Sequence, residues 1–286
     1  MVVDYHNDPR YAHLTLEQVR LHYEVERELA QFILSTCPEK RPEVTAWAYD
    51  ELFRRIPWHP ALTERSGKEN PELIQQRARR VVPFLTLSEG SKVLEMGCGM
   101  GELCFALADM GFRPIGVDIS ELRVSRNRNA CKAREWPQFL RCEACRLPFP
   151  AHSFDSAVSM QLIEHLHPED VPKHLCEVFR VLKPSGRYTF ETPHVLFGPH
   201  DVSRFFSDSP KGFHLKEYSV REILKLTSTA GFARTEIVLR YERVFQPAVA
   251  VLLETFCALL PRPFRRKHSF GLHNPFYIAV KDIAGS

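Results

Sequence analysis

Several absences narrow the field. No apolar run approaches the ~18 residues that a membrane-spanning helix needs. The opening stretch, MVVDYHNDPR, lacks the charged-then-apolar layout of a secretory signal. A cytoplasmic protein without a transmembrane segment is therefore the expectation. Excess charge is also scarce. A net charge of +3 does not announce a nucleic-acid binder, although it allows one. Internal repeats and low-complexity tracts are missing. No Gly-Lys-Ser/Thr occurs, which excludes a phosphate-cradling P-loop. The eight cysteines are scattered, and Cys142-Glu-Ala-Cys145 has no second pair. That is a poor basis for zinc or redox chemistry, and free thiols in a reducing compartment are expected.

What is present centres on Val93-Leu94-Glu95-Met96-Gly97-Cys98-Gly99-Met100-Gly101. An apolar run ending in an acid meets three alternating glycines, and a helical run from Glu102 follows. This reads as strand, tight turn and helix. The glycines let the backbone take angles that a Cβ forbids, and they let a ligand lie against the main chain. The helix start presents N–H groups to that ligand. A nucleotide-like cofactor is expected there, at the carboxyl end of the strand. The spacing is not the dinucleotide fingerprint G-x-G-x-x-G. Glu95 would repel a pyrophosphate and attract a cationic ligand.

Along the chain, residues 1 to about 40 read as helix, ended by Pro38 and Pro42. A second helix is expected over Val44–Arg55 and a third from Pro71 through Val82. Strands are expected at 92–95, 114–119, 139–143, 154–160, 186–191, 236–241 and 276–280, alternating with helices. The alternation predicts an α/β, Rossmann-like, doubly wound sheet, mostly parallel and seven-stranded, under an N-terminal helical cap. The expected division is a cap or lid over residues 1–85 and a cofactor-binding domain over 86–286. That domain carries a long acceptor loop at 193–215 and a C-terminal helix-and-strand extension. Ser219 with Glu222 forms a capping box for the helix after the loop.

The glycine motif resembles the first motif of the class I S-adenosylmethionine (SAM)-dependent methyltransferases, hydrophobic-D/E-x-G-x-G-x-G. Asp118-Ile119 stands where the family's second motif ends. Cys142 to Pro150 resembles its D-A-x-x-L-P-F segment, Ser153 to Gln161 its fourth motif, and Arg180 to Gly186 its R-V-L-K-P-G-G turn. The resemblance spans about Lys92 to Phe232. It implies SAM as cofactor, held by Glu95, Gly97, Cys98, Gly99, Gly101, Asp118, Ile119, Glu143, Ala144, Met160 and Gln161. Asp118 is read as the acceptor for ribose hydroxyls, in preference to a helix N-cap, because its strand-end position and its spacing from the glycines agree. Glu143 replaces the usual Asp beside adenine.

Groups that take a proton from an acceptor belong at the ends of the fourth and fifth strands. His165, His194, His200 and His214 fall in those loops, with Asp201 beside His200. His214, His165, His200 and Asp201 are the catalytic candidates. Gln161-x-x-Glu164-His165 with His214-Leu-Lys-Glu217-Tyr218 is partly similar to the metal-binding segments of small-RNA 2′-O-methyltransferases. That similarity implies a metal site of Glu164, His165 and His214, for Mn²⁺, Fe²⁺ or Zn²⁺ rather than Mg²⁺. Absence of a metal is the favoured expectation. Arg204 has two readings, an anion anchor or an ion pair with Asp201 or Asp208.

The leading functional expectation is methyl transfer to a hydroxyl of a small molecule, a glycan or a natural-product intermediate. One rival is an RNA 2′-O-methyltransferase with a divalent metal. Another is a non-catalytic interaction protein on a SAM fold. The apolar segment 245–268 is read as core packing, a homodimer face or a weak membrane-surface contact, the first two being favoured.

Overall fold

A computed structural model describes residues 5–63, 75, 78–131, 134–239, 243–267 and 269–282. Its strands are β1 (Lys92–Met96), β2 (Arg113–Asp118), β3 (Gln138–Arg141), β4 (Phe154–Met160), β5 (Leu182–Glu191), β6 (Arg234–Leu239), β7 (Arg243–Phe245) and β8 (Phe276–Val280). The described helices are α1 (Leu16–Leu34), α2 (Arg41–Arg55), α3 (Pro60–Thr63), α4 (Glu102–Asp109), α5 (Glu121–Ala130), α6 (Val171–Val181), α7 (Val220–Thr229), α8 (Pro247–Leu259) and α9 (Arg262–Lys267).

The sheet order is β3-β2-β1-β4-β5-β8-β6-β7. β1 pairs in parallel with both β2 and β4, so the winding reverses between β1 and β4. A crevice opens there at the carboxyl ends of the strands, the usual ligand site of such sheets. β8 runs antiparallel between β5 and β6. The sheet has eight strands, not seven. The extra one is the three-residue β7, antiparallel to β6, too short to show a period of its own.

Local chemistry explains the elements. Thr15 and Gln18 form a capping box at the start of α1, and Ser219 and Glu222 form the expected one at α7. Pro42 does not end a helix; it sits in the first turn of α2, where its missing N–H costs nothing. Val171, Leu175, Val178 and Val181 bury one face of α6. They join Leu94, Met96, Phe154, Tyr188 and Phe190 of the sheet in the main core. Part of the expected third helix lies outside the described residues. Ala78, Val81, Phe84 and Leu85 pack with Val93 and Leu103 on the opposite face of the sheet. Helices α1 and α2 share a separate cluster, in which Val25, Leu29, Leu52 and Phe53 meet Phe213 of the segment after β5. Among the described residues no helix is long and apolar enough to cross a membrane.

Candidate active site

The glycine turn lies at the end of β1. Gly99 has φ +52°, and no protein atom lies within 4 Å of where its Cβ would project. Gly101 has φ +76°, but a Cβ there would stand 2.8 Å from the Phe139 ring. One glycine leaves an open cradle; the other lets α4 close on its neighbour. Asp118, at the end of β2, holds the turn. Its Oδ2 accepts the Gly99 N–H at 2.9 Å and its Oδ1 accepts the Ser120 N–H at 2.9 Å. The cap of α5 is Ser120 rather than Asp118. Cys98 is buried, and burial together with the charges of Asp118 and Glu95 pushes its thiol well up, so it stays protonated and unreactive.

The segment after β3 is fixed by α6. The Ala144 carbonyl accepts a hydrogen bond from His174 Nδ1 at 2.9 Å. A carbonyl only accepts, so His174 Nε2 is left to accept the Tyr188 hydroxyl at 3.0 Å. Glu177 accepts the Leu147 N–H, and Arg180 donates to the carbonyls of Leu147 and Phe149. Glu143 is half-buried, which raises its carboxyl pKa. The Cys142 and Cys145 thiols donate to backbone carbonyls of Glu143, Arg146 and Asp170. Neither belongs to a metal-ligating cluster of the described residues.

These segments line a cavity of about 690 Å³, a size usual for small-ligand sites. Its floor includes Glu95, Gly97, Cys98, Gly99, Asp118, Ile119, Glu143, Ala144, Met160 and Gln161. Gly101 is the one expected cofactor residue away from the lining. Tyr11 of the N-terminal segment and Arg41, Thr45, Tyr49 and Leu52 of α2 also line it. Arg123 of α5 lies over the Phe53 ring, which joins α5 to α2.

The other side of the cavity holds five groups, His165, His214, Glu217, His200 and Glu164. His165 and His214 lie perpendicular, ring centroids 4.9 Å apart, and both line the cavity. Glu217 is buried; its Oε1 accepts from His214 Nδ1 at 2.9 Å and from the His200 N–H at 2.7 Å. Its Oε2 faces His200 Nδ1 at 3.1 Å. Glu164 Oε2 accepts the Thr192 hydroxyl at 2.9 Å. Glu164 Oε1 and His165 Nδ1 are buried with no hydrogen-bond partner, while the His165 ring also bonds the backbone of Phe213. Glu164, His165 and His214 offer ligand atoms all within 4.8 Å of one another. Burial lifts the Glu164 carboxyl to about 7 and depresses His165 to about 3. His214 is also desolvated, yet its bond to Glu217 and the neighbouring carboxylates carry it up to about 9. Glu217 sits at about 2, held there against burial by the two histidines.

Three expectations are corrected. His200 and Asp201, adjacent catalytic candidates that both line the cavity, do not pair with each other: the His200 ring pairs with Glu217, while Asp201 caps the turn Val202–Phe205 and accepts the N–H groups of Ser203 and Gly212. His194 is outside the cavity. Its Nδ1 accepts the Leu196 N–H, and its Nε2 donates to Glu254 of α8 at 2.9 Å. Arg204 pairs with Asp8 at 3.1 Å, not with Asp201 or Asp208. Conversely, Glu217 had no assigned role in the sequence, although its spacing of three from His214 hints at one. Glu26 of α1 had no local signal at all. It accepts the Phe213 N–H at 3.1 Å and ties α1 to the segment after β5.

A second cluster, His22, Glu26 and His59, also converges. His59 Nδ1 accepts the Ala61 N–H at 3.1 Å, so its Nε2 carries the proton and faces Glu26 at 3.3 Å. A ring so engaged has no lone pair left for a metal. This cluster is a hydrogen-bonded lock.

Comparison with known proteins agrees with the geometry. Residues 94–190 match the family model described as "Methyltransferase domain". The chain is 35% identical over 147 residues to a probable S-adenosylmethionine-dependent methyltransferase of Mycolicibacterium smegmatis, covering 50% of this chain and 52% of that protein. It is 32% identical over 140 residues to an S-adenosyl-L-methionine-dependent Diels-Alderase of Talaromyces variabilis, covering 46% and 44%. It is 32% identical over 153 residues to 24-methylenesterol C-methyltransferase 2 of Oryza sativa, covering 51% and 39%. The chain thus spans about half the length or less of these relatives. A SAM-dependent methyltransferase structure from Archaeoglobus fulgidus superposes with a TM-score of 0.53 at 20% identity, covering 73% of this chain and 94% of that one. The fold is shared at that level. SAM is the cofactor of this family, and the residues fit it: the open Gly99 cradle admits a ligand against the main chain, and Asp118 lines the same cavity at the end of β2. By fold, by order of motifs and by the methyltransferase-domain match over residues 94–190, this part of the chain is similar to the class I SAM-dependent methyltransferases.

Proposed function

We propose that this protein transfers the SAM methyl group to a hydroxyl of a small molecule, a glycan or a natural-product intermediate. The observation that carries this reading is the convergence of Glu164, His165 and His214 beside the cofactor cavity. The SAM sulfonium already makes the methyl carbon electrophilic. The protein's part is to place the acceptor in line, exclude water and take up the hydroxyl proton. Near pH 7 His165, at about 3, is neutral and His214, at about 9, is protonated, so Glu164, at about 7, is the member whose range suits uptake of the hydroxyl proton, with the charged His214 beside it. Glu217 holds His214 in orientation.

A cavity of about 690 Å³ favours a small acceptor over RNA. The arginines of its lining are engaged with carboxylates: Arg41 with Glu169 and Asp170, Arg80 with Glu191, Arg204 with Asp8. They do not form the phosphate track that RNA binding calls for. The relatives named for a sterol and for a Diels–Alder reaction point the same way.

One observation favours a second reading, a divalent cation on the same three residues. Each has its other polar atom tied down, Glu164 by Thr192, His214 by Glu217 and His165 by Phe213. That leaves a lone pair of each facing the others once His214 gives up its proton, as outer partners do for metal ligands. Such a set suits Mn²⁺, Fe²⁺ or Zn²⁺, and the cation would lower the hydroxyl's pKa.

The test is methyl-labelled SAM with a cell extract and with a panel of hydroxyl compounds. Label in a small, nuclease-resistant product supports the reading, and label in nuclease-sensitive material overturns it in favour of RNA. His214→Ala should cut turnover about 10²-fold with SAM binding kept. Titration of Mn²⁺ after EDTA treatment separates the two readings by heat alone.

A further inference from the structure

Helix α8 presents two unlike faces. Ala250, Glu254 and Cys257 are buried, packed toward α7 and β6. Val249, Leu252, Phe256 and Leu259 recur at spacings of three, four and three, which places them on one side of the helix. They are 41%, 68%, 50% and 80% exposed. Phe270 extends this face by an edge contact with Phe256, centroids 6.0 Å apart, and Val244 of β7 is half-exposed before the helix. Core packing is therefore not the role of this side.

Its charge is one-sided. From Arg243 to Arg265 the only acid is Glu254, which is buried and bonded to His194. Arg243, Arg262 and Arg265 flank the apolar run, and Arg266 and Lys267 follow in sequence. Arg265 donates to the Leu260 and Ala258 carbonyls at the end of α8. Arg262 pairs with Asp208 of the acceptor loop at 2.7 Å. Helix α9 packs beside the loop turn Val195–Phe197, whose Val195 is itself exposed. The face thus runs up to the irregular segment that follows β5.

We propose that this face docks on an anionic lipid surface. Apolar side chains bordered by arginine are what an interfacial helix offers to acyl chains and acidic headgroups. A twofold dimer on the same face would bring one basic rim against another, which disfavours a second copy. The inference does not depend on the nature of the methyl acceptor.

The test uses the full chain with two vesicle preparations, phosphatidylcholine alone and phosphatidylcholine mixed with phosphatidylglycerol. Co-sedimentation with the mixed vesicles, weakened by salt and much lower with the neutral ones, is expected. The double substitution Leu252→Glu, Phe256→Glu should lower vesicle binding at least about tenfold. It alters exposed positions, so an unchanged melting temperature controls for folding. Equal binding to both vesicles, or binding to neither, overturns the proposal. So does concentration-dependent dimerisation in sedimentation velocity that the same double substitution abolishes, because that assigns the face to a second copy.

Discussion

The Asp118 carboxylate accepts the Gly99 amide at 2.9 Å, so the acid of β2 shapes the turn that follows β1. Nineteen residues separate the two in sequence. Because Asp118 also lines the cavity, one side chain fixes the cradle and faces its contents. Asp118→Ala should weaken SAM by ~1–3 kcal/mol, the cost of leaving buried polar partners unmatched. Titration calorimetry checks this, with circular dichroism to show that the fold is retained. Undiminished affinity would confine Asp118 to a structural role.

Gly99 and Gly101 should respond differently. A Cβ at Gly99 meets no protein atom but strains the backbone at φ +52°, so Gly99→Val should cost about 1–3 kcal/mol of stability, leave the chain folded and block the cofactor. A Cβ at Gly101 strikes the Phe139 ring, so Gly101→Val should lower the melting temperature itself. Thermal melts with and without SAM separate the two. A folded Gly99→Val protein that still gains stability from SAM would contradict the cradle.

Glu217 holds both His214 and His200 through one buried carboxylate. Glu217→Gln replaces an acceptor oxygen with an amide donor and misorients both rings. Turnover should fall by about 10- to 100-fold, in line with other outer-partner substitutions. SAM affinity should hold, since Glu217 is outside the cavity lining. Parallel assays of turnover and SAM binding test this; loss of both would mean a general folding defect.

His174 makes stability depend on pH. Burial depresses its pKa from 6.5 to about 4, so it folds neutral. The unfolded chain takes up a proton below 6.5, whereas the folded chain resists until about 4. The contribution is therefore present above pH 6.5 and lost as pH falls toward 4. At 1.36 kcal/mol per pKa unit it amounts to about 3 kcal/mol. His174→Gln should flatten denaturation midpoints across that window and lower stability at pH 7. An unaltered acid slope would assign the effect to other groups.

The core of the fold was legible because its signals are local. Val93 to Gly101 announces strand, turn and helix within nine residues, and Ser219 with Glu222 announces a helix start. The acceptor side was legible only as a set of histidines. Nothing in the sequence distinguishes His194, turned toward Glu254, from His214, turned into the cavity. Both follow β5 in irregular chain, and long-range packing decides between them. Glu26 meets Phe213 across 187 residues, a pairing with no periodicity to betray it. β7 was missed because three residues are too few for an alternation to stand out.

Calorimetric titration of the purified chain with SAM, alongside Gly99→Val, tests the cofactor site at its centre. Saturable one-site binding in the micromolar range is expected for the native chain, and none for the folded variant. No heat of binding to the native chain, or equal binding by both, would contradict it.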